Sequence, residues 1–170
     1  MLPTDSLPAW VGLGANLGAC QETLEQALEA LRELPQTRLV ARSRLWRSAP
    51  VDAAGPDFLN AVAALQTQLA ADDLLAHLQS IEDRFGRVRP YRNAPRTLDL
   101  DLLMHGQTVC ETTTLQLPHP RLHERAFVLA PLAELAPELE IPGRGQVRAL
   151  LRGVTQQICS PLQPDIGTAS

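Results

Sequence analysis

The 170-residue chain contains no lysine: all fifteen of its cationic side chains are arginine. A Walker-type phosphate-binding lysine and any Schiff-base lysine are therefore excluded, and anion binding falls to guanidinium groups. Cysteine is almost as scarce. Cys20, Cys110 and Cys159 are far apart and odd in number, which fits neither a zinc cluster nor a disulfide framework, so all three are expected to be reduced. No stretch approaches the roughly 20 apolar residues of a membrane span. The segment from Met1 to Pro8 lacks the basic stretch and apolar run of a secretory signal, so a cytoplasmic location is expected. A net charge of −4 provides no broad cationic surface for nucleic acid. No internal repeat or low-complexity segment stands out.

What is present is concentrated in one run, Thr97, Leu98, Asp99, Leu100, Asp101, Leu102, Leu103. As a β-strand it sends Asp99 and Asp101 to one side and Leu98, Leu100 and Leu102 to the other. In isolation it reads equally as a half-buried edge strand with a solvated face. Its neighbours favour chemistry. Arg84, Arg87, Arg89, Arg92 and Arg96 crowd into the preceding thirteen residues, and like charges gather this way where an anion compensates them. Guanidinium forks match phosphate oxygens, and two carboxylates at i and i+2 suit hard cations such as magnesium on a phosphate-bearing substrate.

The length fits one domain, expected over residues 1–159 with a disordered tail from 160 to 170. Trp10 to Ala15 reads as a first strand, and Gln21 to Leu34 as an amphipathic helix through Leu24, Ala27, Leu28 and Leu31. Thr37 to Trp46 reads as a second strand, followed by a loop from Ser48 to Asp57 and a third strand from Phe58 to Leu69. Ala71 to Phe85 carries Leu74, Leu75, Leu78 and Ile81 at helical spacing. The Leu-Asp strand follows, then a hairpin near Thr108 to Leu117 and short helices around Pro120, Pro131 and Pro137. The order β-α-β-β-α-β is that of an α+β, ferredoxin-like split βαβ fold, with an antiparallel sheet and two helices on one face. Gly12, Gly14 and Gly18 are spaced GxGxxxG with no acid ending a second strand, so the dinucleotide fingerprint fails.

On residue type alone, Phe58, Phe127 and Trp46 read as core and His77, His105 and His123 as surface. Asn60 stands out, because an amide inside an apolar strand needs partners. His119, between two prolines, reads equally as a turn-stabilising residue or a ligand contact. Glu82 reads as a solvated helix acid.

The runs Gly14-Ala15-Asn16-Leu17, Phe58-Leu59-Asn60, Gly86 to Arg89, Arg92 to Leu103, Pro118-His119 and Pro137-Glu138-Leu139 together resemble 6-hydroxymethyl-7,8-dihydropterin pyrophosphokinases, over nearly the whole chain. The resemblance implies a ferredoxin-like fold and transfer of pyrophosphate from ATP to the pterin hydroxymethyl group, releasing AMP, in folate biosynthesis. It implies two magnesium ions on Asp99 and Asp101, one at the β and γ phosphates and one at the α and β phosphates and the pterin hydroxyl. Arg87 and Arg96 would stabilise charge on the phosphates. Glu82, Arg89, Leu102, His119 and Arg125 would hold ATP. Phe58 and Phe127 would sandwich the pterin, with Asn60 and backbone groups near Ser48, Ala49 and Val51 at its edge. A monomer is expected. Departures from the pattern are Asn93 and Ala94, where some members carry an aromatic and a glycine in a loop one residue longer, and Thr114 and Pro120, where some carry arginine and tyrosine. Tyr91 is the candidate replacement for the missing aromatic. The flanking loops, Ser48 to Asp57 and Arg84 to Pro95, are expected to close over bound substrates. Two other classes share parts of the pattern: an RNA-recognition module, through the element order, and a magnesium-dependent phosphohydrolase, through the acids and arginines.

Overall fold

Alternation along the first strand decides how the molecule is layered. In the computed structural model, which describes residues 5–15, 20–49, 57–86 and 98–162, β1 (Leu7–Ala15) turns Ala9, Val11, Leu13 and Ala15 into one core and Trp10, Gly12 and Gly14 to the opposite face. α1 (Cys20–Arg32) lays Leu24, Ala27, Leu28 and Leu31 on the first core at the predicted spacing. α2 (Ala71–Gly86) adds Leu74, Leu78 and Ile81.

Four further strands complete the main arrangement: β2 (Thr37–Arg42), β3 (Trp46–Ser48), β4 (Phe58–Thr67) and β5 (Asp99–His105). β4 pairs with β1 on one side and with both β2 and β3 on the other, and β5 flanks β1; every pairing is antiparallel. This is the expected ferredoxin-like order. The single second strand of the sequence reading is interrupted at residues 43–45. Buried Ser43 replaces a ladder contact there: its Oγ accepts from Val62 N at 2.9 Å and donates to Arg44 O at 2.7 Å.

The hairpin forms as β6 (Cys110–Glu111) and β7 (Gln116–Leu117). Beyond it a helix surrounds Pro131 as expected: Pro131 lies inside α3 (Ala126–Leu135) with its ring buried, and only one helical N–H is lost. No helix forms around Pro137. The chain there turns into β8 (Glu140–Ile141) and β9 (Gly145–Gln146), then α4 (Val147–Arg152). The expected tail also starts too early, because Cys159, Ser160 and Pro161 form β10 against β3, and Leu162 N donates to Leu45 O at 2.7 Å. Residues 163–170 lie outside the described residues. α3 and α4 bury Val62, Leu103, Met104, Leu122, Leu129 and Leu132 against the sheet face opposite α1 and α2. No helix among the described residues is long and apolar enough to cross a membrane.

Two residue-type readings are corrected. Trp46 is only half-buried: its Nε1 donates to Glu134 Oε1 at 2.9 Å, and Arg44 lies 5.6 Å above its ring. His105 is buried, with Nε2 2.8 Å from Leu69 O, because β5 runs on into the core before it turns. The three cysteines form no disulfide.

Candidate active site

α3 covers only part of its sheet face, and the part left open is a cavity of about 510 Å³. Its floor is β1. In the ladder Gly14 stands between Asn60 on β4 and Asp99 on β5, and Gly12 between Val62 and Asp101. A β-carbon at Gly14 would lie 3.3 Å from Asn60 Oδ1, so the two glycines keep the floor low between an amide wall and a carboxylate wall. The dinucleotide fingerprint they fail to match says nothing of this role. The available signal was two glycines at i and i+2 on one face of an apolar strand.

On the β4 side the cavity meets Phe58, Asn60, Ser48 and Ala49. Asn60 and Ser48 are both buried, and Asn60 Nδ2 donates to Ser48 Oγ at 2.8 Å. This fixes the amide plane, and with Nδ2 so engaged the Oδ1 remains an acceptor for a ligand N–H. Phe127, from the first turn of α3, lines the same cavity with Arg125 5.4 Å from its ring centroid. Both phenylalanines are half-buried cavity residues, which corrects the residue-type reading of core.

On the β5 side Asp99 and Asp101 are half-exposed and face the cavity, while Leu98, Leu100 and Leu102 are buried behind them. The alternation predicted from sequence therefore holds residue by residue. Arg125 feels both carboxylates. Burial, reinforced by Arg121, lowers its pKa from the ordinary guanidinium value, and Asp101, Glu124 and Asp99 oppose the shift; an arginine remains cationic there.

A second cavity of about 270 Å³ adjoins the first through Asp101 and is lined by Leu75, Leu100, Leu102, Thr113, Thr114, Gln116, His119 and Pro120, among others. His119 Nδ1 accepts from Arg121 N at 3.2 Å, so in the neutral ring Nε2 carries the hydrogen. Burial lowers the His119 pKa and outweighs Asp101, with Arg125 and Arg121 acting in the same direction as burial; the ring is a neutral donor at pH 7. The bond to Arg121 N is the turn-stabilising contact of the sequence reading, and the same ring lines the second cavity. Glu82 does more than face solvent: its Oε2 accepts from Leu100 N at 2.8 Å, on the edge of β5 between the two aspartates.

The structure brings together Ser48, Ala49, Phe58, Asn60, Asp99, Asp101, Arg125 and Phe127 around the first cavity, and Leu102 and His119 around the second. Glu82 lines neither. Val51, Arg87, Arg89, Arg96, Tyr91, Asn93 and Ala94 lie outside the described residues, as do most of the two loops expected to close. Arg121, Glu124 and Gln157 also line the first cavity and were not picked out from sequence. Nothing in their local pattern marked them.

A family model described as 7,8-dihydro-6-hydroxymethylpterin-pyrophosphokinase (HPPK) matches residues 10–137. The chain belongs to this family. Similar curated proteins include the 2-amino-4-hydroxy-6-hydroxymethyldihydropteridine pyrophosphokinase of Pseudomonas aeruginosa, 49% identical over 84% of this chain and 88% of that protein. The enzyme of the same name from Haemophilus influenzae is 38% identical over 93% of this chain and 99% of its own. Among solved structures, a Plasmodium falciparum HPPK-DHPS chain superposes with a TM-score of 0.70 at 12% identity, over 89% of this chain. This HPPK chain spans 46% of the length of that solved chain, and the likeness shows the fold.

Proposed function

We propose that this chain performs the HPPK reaction, transfer of pyrophosphate from ATP to 6-hydroxymethyl-7,8-dihydropterin, within the two joined cavities. The observation that carries the reading is the glycine floor, which sets a flat aromatic and amide pocket beside paired carboxylates. Phe58 and Phe127 supply faces for a planar heterocycle, and Asn60 Oδ1, with backbone at Ser48 and Ala49, supplies edge contacts. The adjoining cavity, lined by leucines and by His119 with its Nε2–H, suits a nucleoside triphosphate whose phosphates run toward Asp101.

The donor set at the junction fits magnesium. Asp99 and Asp101 offer only hard oxygen ligands, and among the described residues no group of three or more acids, histidines or cysteines would form a complete protein cage. That leaves most coordination positions for phosphate oxygens and water, as magnesium prefers. Bound there, magnesium would neutralise phosphate charge and acidify the pterin hydroxyl. Arg125, and by family resemblance Arg87, Arg89 and Arg96, would hold the phosphates in line. The hydroxymethyl oxygen then bonds to the β-phosphorus, the bond from that phosphorus to the α,β-bridging oxygen breaks, the hydroxyl proton is released and AMP departs. Alignment and charge neutralisation suffice, with no covalent enzyme intermediate.

An RNA-recognition role is disfavoured by the face such modules use: here α3 and α4 cover part of it, and Asp99 and Asp101 line the open remainder. The deciding experiment incubates the protein with ATP and magnesium, with and without the hydroxymethyl pterin. AMP formed only when the pterin is present supports the kinase. Phosphate release independent of pterin would identify a hydrolase.

A further inference from the structure

The segment after α4 crosses the rim of the first cavity before it joins the sheet as β10, whose Cys159 pairs with Ser48. It therefore links the wall that carries Ser48 and Asn60 to the wall that carries Arg125 and Phe127. Gln157 is where the link is made. Its Oε1 accepts from Ala126 N at 2.8 Å, and its Nε2 donates to Glu124 O at 2.8 Å. One side chain thus grips the backbone on both sides of Arg125. Arg125 is the N-cap residue of α3, and its own side chain makes no cap bond. Gln157 supplies from 31 residues away the acceptor that such an end needs. It is itself anchored from two directions, by Gln157 N donating to Val154 O at 3.0 Å and by the β10 pairing with β3.

We infer that Gln157 is a positioning residue, which holds Arg125 and Phe127 over the cavity through the Ala126 N–H bond. The inference rests on the proposed roles of Arg125 toward the nucleotide and Phe127 toward the pterin. The sequence alone could not show it, because Gln157 lies in a polar stretch with no motif and its partners are more than 30 residues away.

The test compares wild type, Gln157→Ala, Gln157→Glu and, as a neighbouring surface control, Gln156→Ala. Steady-state KM and kcat are measured for both substrates, and thermal midpoints for each protein. Gln157→Ala removes the acceptor, and loss of a helix cap of about 1 kcal/mol predicts KM values for pterin and ATP roughly fivefold higher, with kcat within about twofold. Gln157→Glu keeps an oxygen for Ala126 N at a helix N-terminus, where negative charge is favoured, but sets its other oxygen against Glu124 O in place of the Nε2 donor, so it should recover both KM values only in part. A role confined to general stability would instead lower the thermal midpoint and the active fraction, seen as a lower kcat with unchanged KM, and that result would overturn the inference. Equal KM increases in Gln157→Ala and Gln157→Glu would overturn it too, since the Ala126 bond would not be the operative contact. Wild type that makes no AMP from ATP and the pterin defeats the functional reading itself. Active wild type with unchanged KM in Gln157→Ala defeats only this inference.

Discussion

Gly14→Ala separates the needs of the fold from those of the site. Gly14 lies in extended backbone at the centre of the sheet, where alanine is favoured over glycine by roughly 0.5–1 kcal/mol. The new methyl would sit 3.3 Å from Asn60 Oδ1 and 3.9 Å from Leu59 O, so only the first contact is tight and a few tenths of an ångström relieve it. The two effects oppose each other, and the thermal midpoint is expected within about 4 °C of wild type. The active site has no such compensation. Asn60 is 4% exposed and tied to Ser48 Oγ at 2.8 Å, so displacement of its Oδ1 spoils a ligand hydrogen bond that the amide cannot remake elsewhere. A loss of about 1–2 kcal/mol corresponds to a fall of roughly 5- to 30-fold in kcat/KM for the pterin. Pterin-dependent AMP formation and a thermal melt on the same preparation decide the matter. A kcat/KM within about twofold of wild type would refute the argument that the glycine floor shapes the pocket.

Asp101→Asn retains shape while removing the charge shared by both cavities, and should lower kcat by about two to three orders of magnitude with little change in melting, measured by AMP release at saturating magnesium. Ser43→Ala leaves Val62 N without its acceptor in a fully buried position, and should cost about 1–3 kcal/mol in urea denaturation while KM for both substrates holds. The Glu134 carboxylate accepts from Arg44 N, Trp46 Nε1 and Arg44 Nε; burial alone would raise its pKa, and these bonds together lower it below the usual carboxylate range. A depressed folded-state pKa gives stability that is complete above the unfolded carboxylate value, about 4.3, and lost as pH falls through the folded value. Glu134→Gln should therefore be less stable than wild type at pH 7 and converge on it at acid pH, as read by melting curves across that range.

Local patterns carried far in this chain, and they stopped where contacts became distant. Alternation by itself placed Asp99 and Asp101 on one face and Leu98, Leu100 and Leu102 in the core, and helical spacing placed Leu24, Leu28, Leu74 and Leu78, because strand and helix geometry translate spacing directly into side-chain direction. Residue type alone misjudged Trp46 and His105, since each is governed by a partner far along the chain, Glu134 in one case and Leu69 in the other.

The sequence alone determined the α+β element order, the acidic face of β5 and, through its motifs, the resemblance to the pterin pyrophosphokinase family. Only the tertiary structure decided that Gly12 and Gly14 form a floor between Asn60 and the aspartates, that Asp101 is shared by two cavities with His119 lining the second, and that Gln157 bonds the start of α3. The reason is physical. Register and long-range hydrogen bonds depend on which backbones come to lie side by side, and that is fixed by burying two sheet faces at once.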